Sequence, residues 1–406
     1  LGISPAHSPH GGSPAAGVSP SPSSSALLNP MGHEFTSTLV PSTKEAIKAA
    51  QYAQYSSTGE NHSELPSKLF SSKRANVHTI SILDSPKLSK MTSKLNGLKS
   101  LVSLTIRGCS ITAIYGIENL GATLMKLDLG KNRISIVPEW ISTLQSLQVL
   151  TLDNNALNVV PKAISQLPSL VSLDLSNNYL SQLDITGLNS LTSLAIASNN
   201  FTVVPPSIDR LHELQTLDLG HNRFEMLPRN IYSLPKLQCL IVSGNKLGDL
   251  PAELCLSQKL NTLHWDDNRA TKIHDALFTL TKLTNLKLGR NTIGEMSERV
   301  SRLSSLRVVE LDSNHFDILP HQLCALPKLE LTVSANPFRS IPEEIRNQGQ
   351  GAIIQFLRQL SSKAPWRRMK LMLEEMKTLE RRHSKEPSLP SLYPRTHSSL
   401  RNELED

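Results

Sequence analysis

From Val77 onward large apolar residues return in a fixed frame, L-x-x-L-x-L-x-x-N-x-L-x-x-L-P, and the frame restarts every 23 residues. The clearest copy reads Leu214, Leu217, Leu219, Asn222, Phe224, Leu227, Pro228. Its first position falls on Leu101, Leu124, Leu147, Leu170, Leu191, Leu214, Leu237, Leu260, Leu283 and Leu306. A degenerate copy at Val77, Ile80 and Ile82 opens the series, and a contracted copy near Leu329 closes it. About twelve copies in one register predict a repeat architecture. In each copy the L-x-L alternation predicts a short strand with both leucines turned inward. Parallel pairing of neighbouring copies stacks those leucines into a core that one copy alone cannot close. The expected fold is therefore an α/β repeat: a right-handed, curved solenoid with a parallel concave sheet over about residues 77–350, between disordered tails.

The rest of the frame has its own chemistry. Asn132, Asn155, Asn178, Asn199, Asn222, Asn245, Asn268, Asn291, Asn314 and Asn336 form one column, with Cys109 in the same place of an early copy. A buried amide both donates and accepts, so each Asn is expected to tie its own turn to the backbone of the next copy. Pro138, Pro161, Pro205, Pro228, Pro251, Pro320 and Pro342 start a tight convex segment; Tyr115, Asp184, His274 and Ser297 replace Pro in four copies. Residues 351–362 read as a cap helix, with Ile353, Ile354, Phe356, Leu357 and Leu360 toward the last core layer.

Outside the repeats the pattern weakens. Residues 1–76 are Ser/Pro-rich at first, with Ser-Pro steps at Ser4, Ser8, Ser13, Ser19 and Ser21, and are expected to be disordered apart from a short helix near 43–54. Residues 363–406 are expected to hold an amphipathic basic helix over 366–382, with Met369, Met372, Leu373, Met376 and Leu379 on one face, and then a mobile tail. Arg381 and Arg382 precede Ser384, which makes Ser384 a candidate phosphosite for kinases that read basic residues.

Composition narrows the function classes. Leucine is about 16 % of the chain, while Phe, Trp and Tyr together are 4 %. The net charge of +7 is thinly spread, at +1 for residues 1–76, +3 for 77–362 and +3 for 363–406. No segment carries the dense basic stripe of a nucleic-acid binder, and no apolar run reaches the ~18 residues of a membrane span. Cys109, Cys239, Cys255 and Cys324 sit singly, which suits a reducing, cytoplasmic compartment. The chain begins with Leu, so it is read as a fragment.

No G-x-x-x-x-G-K-[ST] phosphate loop, H-E-x-x-H or G-x-S-x-G is present. The chain is therefore expected to be non-catalytic, with neither cofactor nor metal. The informative surface is the concave one. Between the strand leucines stand Thr105, Asp128, Thr151, Asp174, Ala195, Asp218, Ile241, His264, Lys287, Glu310 and Thr332. The column just after the strand adds Arg107, Asp153, Asp266 and Asp312, and Arg290 lies beside the mixed patch. Two readings are open: a docking face for a basic protein segment, or ordinary solvated strand residues. Trp265 takes a core leucine's place and is expected to point inward. Asn200-Phe201-Thr202 matches a glycosylation pattern by letter, but Phe201 is a core position.

A 23-residue Leu-Pro frame resembles the leucine-rich repeats of intracellular scaffold and signalling proteins. The junction, Ile353-Ile354-Gln355-Phe356-Leu357-Arg358 and then Ala364-Pro365-Trp366-Arg367-Arg368-Met369-Lys370-Leu371-Met372-Leu373, resembles the passage from repeats into the GTPase domain of Roco proteins, including the leucine-rich repeat kinases. In that family the phosphate loop follows at once; here Glu374-Glu375-Met376 follow. The resemblance implies the repeat scaffold of a Roco-like signalling protein and carries over no GTPase or kinase residue. The alternative is a self-standing repeat regulator of a small GTPase or phosphatase.

Overall fold

The computed structural model describes residues 54–60, 62–71 and 76–361. Thirteen short strands form one parallel sheet in strict chain order. They are β1 (Gln54–Thr58), β2 (Thr79–Leu83), β3 (Ser103–Arg107), β4 (Lys126–Asp128), β5 (Val149–Thr151), β6 (Ser172–Asp174) and β7 (Ser193–Ala195). Then come β8 (Thr216–Asp218), β9 (Cys239–Ile241), β10 (Thr262–His264), β11 (Asn285–Lys287), β12 (Val308–Glu310) and β13 (Glu330–Thr332). The registers are those of the frame: Leu127 faces Leu150, Leu150 faces Leu173, and so on across the array. The stacked leucines are fully buried, and Trp265 and Phe201 lie in the same core.

The sheet begins one strand before Val77. β1 pairs Tyr55 with Ile80 and Ser57 with Ile82. Tyr55 and Ser57 are both buried where the frame asks for leucines, so a leucine pattern does not reveal this copy. Gln54, the expected end of a helix, is the first residue of β1; residues 43–53 of that helix, the Ser-Pro steps, the 366–382 helix and Ser384 lie outside the described residues.

Each strand ends in a turn through the left-handed region, at Lys131, Asn154 and Asn177 for example, with φ of 54°, 53° and 55°. The Asn column follows that turn. The Asn155 amide donates to the Leu129, Leu152 and Asp153 carbonyls, while its Oδ1 accepts from the Ile134 N–H. Leu129 and Ile134 belong to the preceding copy, so the ladder ties each turn backward, not forward as the sequence reading has it. A 3-10 segment follows Pro in most copies and forms the convex side. Where Pro is missing, side chains take over its start: His274 Nδ1 accepts from the Ala276 N–H at 3.1 Å, and Ser297 Oγ from the Arg299 N–H at 3.3 Å. In the copies with Tyr115 and Asp184 no 3-10 segment forms. Two helices, α1 (Glu343–Asn347) and α2 (Gln350–Gln359), end the described array. Ile353 and Leu357 of α2 are buried, and Ile354 and Phe356 are half-buried and pack against the core as the sequence suggests; Leu360 is half-buried.

Candidate functional site: the concave face

The strand alternation that buries the leucines turns the intervening residues onto the concave face. These residues are more enclosed than a freely solvated column. Asp128, Asp174 and Asp218 are half-buried, and each accepts a hydrogen bond from the N–H two residues on, at Gly130 (3.1 Å), Ser176 (3.0 Å) and Gly220 (2.9 Å). The aspartates thus hold their own strand ends, whatever else they bind.

At the N-terminal end of the face the charges are consumed. Arg107 lies across Gly130 and reaches Asp153 with two parallel bonds, Nη1 to Oδ1 at 2.6 Å and Nη2 to Oδ2 at 2.7 Å. Nη1 also donates to Asp128 at 3.1 Å. Arg107, Gly130 and Asp153 occupy one frame position in three successive copies. A side chain on Gly130 would meet Nη1 at 1.9 Å, so the glycine is what lets the guanidinium span two strand spacings. Burial would lower the Arg107 pKa, but the hydrogen bonds and charges of Asp153 and Asp128 outweigh it and raise the value. Asp153 is 5 % exposed. It is removed from the candidate docking residues, as a buried, paired group, and Asp128 is partly engaged.

In the C-terminal half of the face four charged groups are also paired internally, while the buried His264 Nε2 has no hydrogen-bond partner among the described residues. Lys287 Nζ pairs with Glu310 Oε1 at 2.8 Å between β11 and β12. Asp266 Oδ1 accepts from Ser243 Oγ at 2.6 Å, and Asp312 accepts from the Ser334 N–H at 2.7 Å and from the Thr332 hydroxyl. His264 is buried, contrary to its expected projection into solvent. Burial and then Lys287 push its pKa down to about 4, against the opposing pull of Asp266, so the imidazole is neutral at pH 7. Arg290 is exposed in the left-handed turn after β11 and faces no carboxylate at ion-pair distance among the described residues.

Between these halves stand Asp174 and Asp218. Ala195 separates them, so two carboxylates flank a gap floored by a methyl group, two strand spacings or about 10 Å wide. Neither has an ion-pair partner among the described residues. Burial raises the Asp174 pKa, and repulsion from Asp153 adds to it against the Ser176 N–H and Arg107. Burial likewise pushes Asp218 up to about 6, with the Gly220 N–H and His221 opposing and Asp174 adding. The N-terminal half of the array, in four of its copies, carries a feature the sequence reading passed over. Ile136, Val159, Val203 and Met226, each two residues before Pro, are 72, 58, 73 and 78 % exposed. The corresponding residue in the Asp174 copy is Gln182, and those further on are Asp249, Lys272, Glu295 and the half-buried Ile318. The signal was in the frame, at a position the consensus leaves as x.

A leucine rich repeat model matches residues 122–180, and a leucine-rich repeat region model matches residues 181–291. No curated protein matches the chain. Among solved structures, a leucine-rich repeat protein of Leptospira interrogans is 32 % identical over 75 % of this chain and 78 % of that one, with a TM-score of 0.65. An internalin of Listeria monocytogenes is 21 % identical over 71 % of this chain and 87 % of its own, with a TM-score of 0.58. A plant peptide hormone receptor in complex with RGF2 is 21 % identical over 68 % of this chain and 53 % of its own, with a TM-score of 0.51. These last two share the fold. Among the described residues no helix is long and apolar enough to cross a membrane. With the frame, the single parallel sheet and the Leptospira relative in agreement, the chain belongs to the leucine-rich repeat family.

Proposed function

We propose that the chain is a non-catalytic protein-binding scaffold whose concave face receives a basic, extended segment between Asp174 and Asp218. The observation that carries this reading is the pair itself. Two half-buried carboxylates, both raised in pKa by burial, stand on either side of Ala195 with no ion-pair partner among the described residues, although Arg107 and His221 act on them from beyond ion-pair distance. A lysine or arginine entering the gap would restore the charged forms and exchange repulsion for two charge-assisted hydrogen bonds. The flanking sectors have no such vacancy, because Arg107 and Lys287 already sit there. In the wider reading the scaffold works in cytoplasmic signal transduction as the repeat region of a Roco-like protein, with Ser384 as a regulatory phosphosite. The junction residues from Ile353 to Leu373 support the first part. A transcript continuing into a Gly-Lys-Ser/Thr phosphate loop would establish it; a stop codon soon after Asp406 would favour the self-standing regulator.

The docking test uses a labelled octa-arginine peptide. Reversal of Asp174 and Asp218 to Lys lowers its association rate and flattens the salt dependence, with unchanged circular dichroism. Equal rates for the reversed and native chains would discard the reading.

A further inference from the structure

The residues between each ladder Asn and the convex segment form the side of the array where the strands end. Backbone bonds hold these segments next to one another. The Ala156, Tyr179, Asn200 and Arg223 N–H groups donate to the Ile134, Leu157, Leu180 and Phe201 carbonyls of the preceding copy at 2.7 to 2.9 Å. Ile136, Val159, Gln182, Val203 and Met226 therefore stand in one row, four strand spacings or about 19 Å long. All five are exposed. The middle three segments, residues 154–160, 177–183 and 198–204, contain no charged residue. Charge returns on both sides, with Lys131 and Arg133 in the segment before and His221, Arg223 and Glu225 in the segment after. Arg223 closes its end, where Nη2 donates to Asn200 Oδ1 at 2.8 Å. An uncharged centre that holds valines and an exposed tyrosine, Tyr179, inside a charged rim has the make-up of a protein–protein interface.

We propose that a second copy of the chain covers this face, with the two rows antiparallel about a twofold axis at Gln182. Three observations select that occupant. The row reads alike from both ends: long apolar, valine, amide, valine, long apolar. Laid antiparallel, it sets each Val159 opposite a Val203, each Ile136 opposite a Met226 and Gln182 opposite itself. A self-complementary patch is what a twofold contact needs, and an amide, which both donates and accepts, can bond its own counterpart. Area is the second. Ile136, Val159, Tyr179, Val203 and Met226 expose roughly 700 Å² per copy, close to the ~800 Å² that each partner buries in a standard interface. Charge is the third. A chain of net charge +7 repels its own kind, and the middle of this face brings no charges together. The concave face, with Asp174 and Asp218, stays open in such a dimer.

The test weighs full-length chains by sedimentation over a range of concentrations, beside their thermal midpoints. The native chain is expected to pass from monomer to dimer in the micromolar range, as befits an interface at the lower end of the standard size. Val159→Asp/Val203→Asp puts carboxylates at positions that are exposed in one copy and covered in two. Its midpoint should stay native while the dimer's Kd rises at least about a hundredfold. Gln182→Cys reads the axis, because a thiol there meets its own counterpart and forms a disulfide-linked dimer on oxidation by copper phenanthroline in air. Ile136→Cys, about 19 Å from its counterpart in the antiparallel arrangement, should cross-link no faster than the native chain. If the double variant melts early, the two cysteine variants decide alone. A native chain that is monomeric throughout the micromolar range, a folded double variant that dimerises like the native chain, or equal cross-linking at positions 182 and 136 would overturn the proposal.

Discussion

The sector β6–β8 and the sector β10–β12 share one backbone and one hydrogen-bonded ladder, yet treat charge in opposite ways. In β10–β12 the acidic groups and Lys287 find partners within the array, Lys287 with Glu310, Asp266 with Ser243 and Asp312 with Ser334, while the buried His264 Nε2 has none among the described residues. In β6–β8, Asp174 and Asp218 accept from their own strand-end N–H groups and form no ion pair among the described residues; Arg107 and His221 act on them without reaching ion-pair distance. The flank differs in part, with Gln182 and the exposed Val203 and Met226 in the first sector against Lys272, Glu295 and the half-buried Ile318 in the second. Residue type alone does not separate the two, because Asp occurs in both. What separates them is whether the neighbouring copy supplies a counter-group.

The largest effect expected belongs to the clamp that borders the acidic sector. Arg107→Met leaves Asp153 buried without its cation and should cost about 3–5 kcal/mol, read as a lower denaturant midpoint with faster amide exchange around β3–β5. A loss below about 1 kcal/mol would show that water replaces the guanidinium, and the contrast between satisfied and unsatisfied sectors would collapse.

Asp218→Asn should act in the other direction. A carboxyl raised to about 6 from its ordinary 3.8 is held protonated more tightly by the folded chain. Its favourable contribution is complete below pH 3.8 and drains away as pH rises through about 6, so at pH 7 the ionised group is a cost. The amide keeps the acceptor for the Gly220 N–H and removes that cost. The variant should gain on the order of 1–3 kcal/mol at pH 7 and nothing near pH 4, measured by denaturant titration at both. Equal stability at pH 7 would mean that the native carboxylate already has a counter-ion.

Lys287→Met gives the smallest change. Its pair with Glu310 is partly solvated, and under about 1 kcal/mol should be lost, with the difference fading at high salt.

Much of the fold was legible because the frame is periodic: one leucine pattern, read repeatedly, fixes strand, register and core. The reading stopped where the periodic signal is carried by other residues. Tyr55 and Ser57 fill leucine positions in β1, and His274 and Ser297 start convex segments without proline. The concave face was legible only as a set of columns. That Arg107 would cross Gly130 to Asp153 depends on a contact two copies away, and one column does not state which of its members pair. Asp153 and His264 were grouped with the docking residues because alternation tells which side a residue takes, not how deeply its neighbours enclose it.

The account's central claim is that the unpaired carboxylates of β6 and β8, rather than acidic residues of this face in general, recognise a basic partner. The most direct measurement is the affinity for a labelled octa-arginine peptide of the Asp174→Asn/Asp218→Asn chain beside the Asp312→Asn chain, by fluorescence anisotropy at low salt. The account predicts a loss of at least about tenfold, or ~1.4 kcal/mol, for the first and native affinity for the second. Equal affinities for the two variants would contradict it.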